Sequence, residues 1–242
     1  MARTQVNADK PCSIMEHLEE LRNRLLISVG LIIICSALSY SFIPRIMDFI
    51  IRYIGKLYFM SPPEAFWVQV KVAFFIGLYC SLPFIFYQIW RFIELGLRQK
   101  EKRFLLPLSI ASFILFTVGG SFCYFLVIPI ALKFLLSYGS AVLVPLISVS
   151  KYISFIGALV FAFGITFQLP LVMIFLARVG IVNNRILRKF RRFAVLGSFI
   201  VGAVLTPTPD MVNQTLLAVP IIVLYEMSIW LVKIFEREEV KK

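Results

Sequence analysis

Residues 15–43 read MEHLEELRNRLLISVGLIIICSALSYSFI, and this stretch decides the fold class. From Leu25 onward it runs uncharged to Ile43, close to the about 20 apolar residues that a helix needs to cross a bilayer core of about 30 Å. In front of that run stand Glu16, Glu19 and Glu20, Arg22 and Arg24, and the only His of the chain, His17. Ser13 followed by Glu16 has capping-box spacing, so the helix is expected to begin near Ile14 and continue into the apolar run. At 3.6 residues per turn, Ile14, Leu18, Leu21 and Leu25 share one stripe, His17, Glu20 and Arg24 line its flank, and Glu19 faces away. Spacing alone makes Glu20 and Arg24 an i,i+4 ion pair worth about 0.3–0.5 kcal/mol. The charged leader before Leu25 and the length of the apolar run do not fit a cleavable signal peptide, so this segment is expected to stay in the mature protein.

The rest of the 242-residue chain repeats the pattern, and 60% of it is hydrophobic, more than a soluble core can hide. Apolar runs at 25–43, 72–90, 104–128, 152–177, 193–205 and 211–232 predict an all-α polytopic membrane protein with six transmembrane helices. Pro44 is expected to close the first, and the last two form a hairpin of short helices around Thr206-Pro207-Thr208-Pro209-Asp210. A segment of thirteen residues at 193–205 reaches only about 20 Å, so its neighbours tilt or the bilayer thins there. The expected organisation is an N-terminal segment with an amphipathic helix (1–24), a six-helix domain (25–233) and a C-terminal tail (234–242). The formal charge of +12 reports topology, because the cations lie between apolar runs and not on one soluble face suited to nucleic acid. All but six of the 25 Lys and Arg fall on the side of the N-terminus; the exceptions are Arg45, Arg52, Lys56, Lys71, Lys133 and Lys151. By the positive-inside rule both termini are cytoplasmic.

Pro83, Pro107, Pro170 and Pro220 fall inside apolar runs and are expected to kink them into curved walls. Polar residues at membrane depth are costly and face a partner or a cavity, which marks Gln168, Asp210 and Glu226. Ser198 and Gly202 have the small-xxx-small spacing of close helix packing. The cysteines lack zinc or redox spacing, a single His excludes His-pair metal sites, Gly55-Lys56 is not a phosphate loop, and no nucleophile elbow is present. No enzyme, metal or cofactor is therefore expected.

Taken together, several segments resemble the TatC family, the multi-spanning receptor subunit of the twin-arginine protein translocase. They are His17-Leu18-Glu19-Glu20-Leu21-Arg22-Asn23-Arg24-Leu25, Leu82-Pro83 with Tyr87-Gln88-Ile89-Trp90 and Phe92-Ile93, and Glu101-Lys102-Arg103. Further along come Phe163-Gly164, Phe167-Gln168-Leu169-Pro170, Leu205-Thr206-Pro207, Asp210, Gln214 to Pro220 and Leu224-Tyr225-Glu226. The sequence departs from the family at Leu95, where Pro is common, at Gln168, where an acid is frequent, in a longer hairpin turn, and in a short outer loop after Pro44.

The resemblance implies a cup-shaped protein that binds signal peptides bearing paired arginines on folded precursors, with Glu20 and Glu101 as the carboxylates and Phe92 and Arg103 beside them. It further implies single-span partners of the TatA and TatB type meeting the intramembrane polar residues, self-association in a multi-copy complex surrounded by lipid, and transport driven by the proton motive force. The expected location is a bacterial cytoplasmic membrane or its organellar counterpart. A carboxylate suits this task because arginine presents a planar fork that it accepts bidentately, whereas lysine offers a point charge. Two such contacts contribute about 3–6 kcal/mol against an association cost of about 4–15, so the apolar part of the peptide must also be buried. The alternative from the polar residues alone is an ion- or proton-coupled small-molecule transporter using Gln168, Asp210 and Glu226.

Overall fold

The computed structural model describes residues 14–54, 57–94, 105–137, 146–205 and 211–239. Expectations placed on Glu101, Arg103 and Asp210 lie outside these residues. Among the described residues the chain is helical, apart from turns and one isolated bridge between Tyr58 and Ser148.

Helix α1 (Ile14–Ser39) carries the boundary acids directly into the apolar run; the expected cap at Ser13 lies outside the described residues. Pro44 does not end it. A single 3-10 turn, Tyr40–Phe42, leads into α2 (Ile43–Ile51), in which Pro44 sits in the first turn, where its missing N–H has no helical acceptor to lose. α3 (Glu64–Glu94) follows, then α4 (Leu105–Phe122), which passes through a π-turn, Cys123–Val127, into α5 (Ile128–Leu136). The third apolar run is therefore longer than expected, because Pro129 again occupies the first turn of a new segment. α6 (Val149–Thr166) is separated from α7 (Leu169–Arg178) by a turn at Phe167 and Gln168, and α8 (Asn184–Lys189), α9 (Arg191–Leu205) and α10 (Met211–Glu239) complete the chain.

Among the described residues five stretches are long and apolar enough to cross a membrane: Leu18–Ile51, Glu64–Ile93, Leu106–Leu136, Val149–Arg178 and Leu217–Ile234. α9, with 15 residues, is short, about 22 Å long. The last helix is not: α10 has 29 residues, so the expected shortness of the final pair holds only for its first member. The four prolines also divide. Pro83 and Pro220 lie inside unbroken helices, whereas Pro107 is in the first turn of α4 and Pro170 in that of α7. At those two positions proline starts a segment, which removes no helical bond from its own turn.

α3 is the centre of the arrangement, packed by α1 on one side and by α4 and α6 on the other, while α10 packs against α7 and α9. The main core joins Val68 and Val72 of α3, Cys123 and Ile128 near the π-turn, and Ile153 and Phe163 of α6. A second, smaller core joins Leu187 of α8 to Tyr225, Ile229 and Val232 of α10. α1 turns Leu25, Leu26, Ile33 and Leu38 outward, as expected for a helix facing lipid on one side.

Inside a membrane, helix association comes from close packing and polar contacts and not from burial out of water. α1 meets α3 at Gly77, where a Cβ would overlap the side chain and backbone of Ser36. α9 meets α10 at Gly202, where a Cβ would lie 2.9 Å from the Gln214 carbonyl oxygen, and Ser198 one turn earlier is buried. The small-xxx-small spacing thus marks the hairpin contact. Gly77→Ala is expected to destabilise the detergent-solubilised protein by about 1–3 kcal/mol in thermal unfolding, because overpacking outweighs the gain in helix propensity. Gly30→Ala on α1, which has open space around it, is expected to stabilise by up to about 1 kcal/mol in the same measurement.

Candidate functional site

One end of the bundle carries the boundary acids. Glu20 Oε1 accepts Arg24 Nε at 3.0 Å and also Arg24 Nη2, so the i,i+4 ion pair read from spacing is present. Arg24 does more than that pair requires. Its Nη1 donates to Gln88 Oε1 at 3.0 Å and to the Gln88 carbonyl at 3.3 Å, which ties the first turns of α1 to the last turns of α3. The Arg24 side chain is 13% exposed and that of Glu20 35%, so the guanidinium is largely withdrawn from solvent while the carboxylate stays reachable. Each contact from Arg24 uses Oε1, which leaves Oε2 with acceptor capacity. Glu19 is exposed, as its position on the helix predicts. Farther along α3, Arg91 lies 5.9 Å from the centre of the Tyr87 ring and Phe92 is half-buried.

Beneath this border runs a line of polar contacts. Gln168 Nε2 donates to the Ser112 carbonyl at 2.9 Å and to the Gly164 carbonyl at 3.4 Å, and Trp90 Nε1 donates to Ser112 Oγ at 2.8 Å. The Trp90 ring meets Phe175 edge-on at 5.0 Å, so the end of α7 lies beside the end of α3. Gln168 thereby serves the backbone at the α6–α7 break. Glu226 lies elsewhere, paired at 2.8 Å with Arg191 at the start of α9. Gln168 and Glu226, expected as one intramembrane polar set, have separate partners. Among the described residues no three His, Cys, Asp or Glu side chains gather as a metal site.

Two apolar cavities are lined by described residues of the bundle. One, of about 430 Å³, lies among Phe49, Phe75, Tyr79, Phe116, Tyr124 and Phe161. The other, about 900 Å³, separates Phe122, Leu126 and Phe167 from Thr215, Val219 and Val223 of α10.

A second polar cluster at the opposite end was not read as a unit from sequence. Glu64, nearly buried at the start of α3, accepts Met60 N–H on Oε2 at 2.5 Å, and on Oε1 the Ser148 hydroxyl and Ser150 N–H, the latter at 3.0 Å. Lys71, two turns on, donates to Ser150 Oγ at 2.7 Å and Ser154 Oγ at 3.0 Å. Together with the Tyr58–Ser148 bridge, these contacts staple residues 57–60 to the start of α6. The only local signal is an acid directly after Pro62-Pro63, suited to a helix first turn; two of its partners, Ser148 and Ser150, lie more than eighty residues away.

Comparison with known proteins gives a consistent result. A family model described as Sec-independent protein translocase protein (TatC) matches residues 16–220. The protein of that name from Carboxydothermus hydrogenoformans is 38% identical over 235 residues, covering 96% of this chain and 97% of its own. That from Aquifex aeolicus is 39% identical over 234 residues, covering 93% and 97%. A crystal structure titled as the twin arginine translocase receptor TatC superposes with a TM-score of 0.80 at 38% identity, covering 90% of this chain and 99% of that one.

Arg24→Lys is expected to lower stability by about 1–3 kcal/mol, read by thermal unfolding, since an ammonium cannot span Glu20 and Gln88 as the fork does. Glu64→Ala should cost about as much in the same assay by leaving the Met60 and Ser150 N–H groups without their acceptor, with Glu64→Gln milder because one oxygen remains.

Proposed function

The chain is a member of the TatC family of Sec-independent protein translocase proteins, and we propose that it serves there as the receptor for signal peptides carrying paired arginines. The observation that carries this reading is the state of Glu20. Its carboxylate is reachable at the end of the bundle, is oriented by Arg24 through Oε1, and has Oε2 open to a second guanidinium. Holding an acceptor in place before the ligand arrives lowers the ordering cost of binding. Because Arg24 already neutralises Glu20, long-range attraction is weak, and discrimination of Arg from Lys comes from the bidentate fork at short range. Glu101 is the second carboxylate in this reading, with Phe92 and Arg103 flanking the bound motif.

Two guanidinium contacts of about 3–6 kcal/mol do not offset an association cost of about 4–15. The apolar segment of the peptide supplies the remainder. Burying about 300 Å² of it against the bundle contributes roughly 7 kcal/mol at 25 cal/mol per Å². In the same reading both termini are cytoplasmic, α9 crosses as a short sixth span, and the bends at Pro83 and Pro220 shape a cup. The bundle sits in a bacterial cytoplasmic membrane. Gln168, Asp210 and Glu226 face single-span TatA- and TatB-type partners in a multi-copy complex, and the proton motive force drives transport of the folded cargo. The separate partners of Gln168 and Glu226 give no support to a small-molecule transporter built on them.

The test is crosslinking of the membrane-embedded protein to a signal peptide bearing the arginine pair and to its paired-lysine variant. Glu20→Gln and Glu101→Gln are each expected to weaken capture of the arginine peptide by about tenfold or more, the loss of one charge-assisted contact, with the lysine peptide poorly captured throughout. Undiminished capture in both variants, together with equal capture of the lysine peptide, would overturn the assignment.

A further inference from the structure

The densest positive charge in the sequence is not at Glu20. Arg178, Arg185, Arg188, Lys189, Arg191 and Arg192 fall within fifteen residues around α8. This segment is held firmly. Gly180, in the left-handed region at φ 78°, turns the chain after α7, and Asn183 caps α8 by accepting the Ile186 N–H at 2.8 Å. Leu187 is buried against α10, its carbonyl accepts the Tyr225 hydroxyl at 2.9 Å, and Asn184 Nδ2 donates to the Ile229 carbonyl at 3.1 Å.

With Leu187 and Asn184 held against α10, several other residues of the turn face outward. Arg185, Arg188, Lys189 and Arg192 are exposed, and so are Ile181, Ile186, Phe190 and Phe193. Among the described residues none of those four cations is ion-paired, while the nearby acid Glu226 is already engaged by Arg191. Open water does not favour so many exposed apolar side chains, and hydrocarbon does not favour four cations. The headgroup layer of a bilayer suits both at once. The length of α9 points the same way: it starts at Arg191 and spans about 22 Å, which draws its basic first turn toward the membrane. The end of α7 also lies beside the end of α3, so α8 is on the same side of the bundle as Glu20.

We propose that the α8 turn binds acidic phospholipid headgroups of the leaflet on the Glu20 side, with phosphates taken by Arg185, Arg188, Lys189 and Arg192 and acyl chains against Ile186, Phe190 and Phe193. The guanidinium fork accepts a phosphate in two parallel hydrogen bonds, and the lysine adds a point charge. This site is independent of the signal-peptide reading and stands or falls separately from it.

The experiment uses the full chain carrying Trp67→Phe in nanodiscs of mixed phosphatidylcholine and phosphatidylglycerol, with bromine on the acyl chains of one lipid or the other. Trp230, 65% exposed and next to Ile229, then reports contact with lipid, because Trp90 is only 5% exposed. Brominated phosphatidylglycerol is expected to be enriched over brominated phosphatidylcholine at Trp230 by about fivefold, the effect of one cation near a charged surface. That preference should disappear in R185Q/R188Q/K189Q/R192Q and persist in R45Q/R52Q/K133Q/K151Q, which removes the same charge at the other end. No preference in the parent, or equal loss in both variants, overturns the proposal. Should the first variant fail to fold, R188Q/K189Q and a salt titration of the parent replace it. The preference must then fall in that double variant and with rising ionic strength, and insensitivity to both overturns the proposal.

Discussion

In hydrocarbon a backbone carbonyl has no water to turn to, so every break in a membrane-spanning helix must be met by a partner within the protein. This constraint orders much of the structure. At the α6–α7 break, where Pro170 offers no N–H, the Gln168 amide reaches the Gly164 carbonyl and, across to α4, that of Ser112. The Thr166 hydroxyl takes the Ala162 carbonyl at 2.7 Å in the same turn. Between α9 and α10, Gln214 Nε2 reaches the Phe199 carbonyl at 2.9 Å. Pro44, Pro129 and Pro170 all occupy first turns of new helical segments, where a missing donor costs least. Gln168 suits the same need, because an amide donates to carbonyls and an ionised carboxylate does not.

The second organising feature is α3, whose two ends are fastened by charged side chains in different ways. At one end Arg24 binds Glu20 and Gln88 together, so one side chain holds α1 in place and also orients the carboxylate nearest the bundle border. At the other, Glu64 and Lys71 meet at Ser150, joining the start of α6 to the turn before α3. Between these fastenings the contact with α1 depends on the absence of a side chain at Gly77. The geometry of the proposed carboxylate site and the stability of the bundle therefore share residues. A change at Arg24 alters both, and a binding defect in such a variant is interpretable only beside its unfolding curve.

Much of this could be read along the chain, and the limits follow from distance in sequence. The Glu20–Arg24 pair and the shortness of α9 are local properties of spacing and length, and the structure contains both. Pro44 does not close the first run, because the cost of a proline depends on which carbonyl it deprives. The 3-10 turn that resets the helix before it has no distinct sequence signal. α10 is longer than its apolar run because its last turns are polar and extend beyond it. Glu64 gave only a weak cue, since a buried carboxylate is recognisable by its partners, and Ser148 and Ser150 belong to another helix.

By itself, then, the sequence determined how many apolar runs exist, that they are helical, and that an acid with an i+4 arginine stands at the first boundary. These depend on residues within a turn or two of each other, where rotation per residue dictates who meets whom. Only the tertiary structure decided that Arg24 reaches Gln88, that Gln168 serves α4 and not Glu226, and that α8 lies against α10 with its cations outward. Those contacts join positions tens of residues apart, and their existence rests on how whole helices pack, for which no local pattern of side chains carries the information.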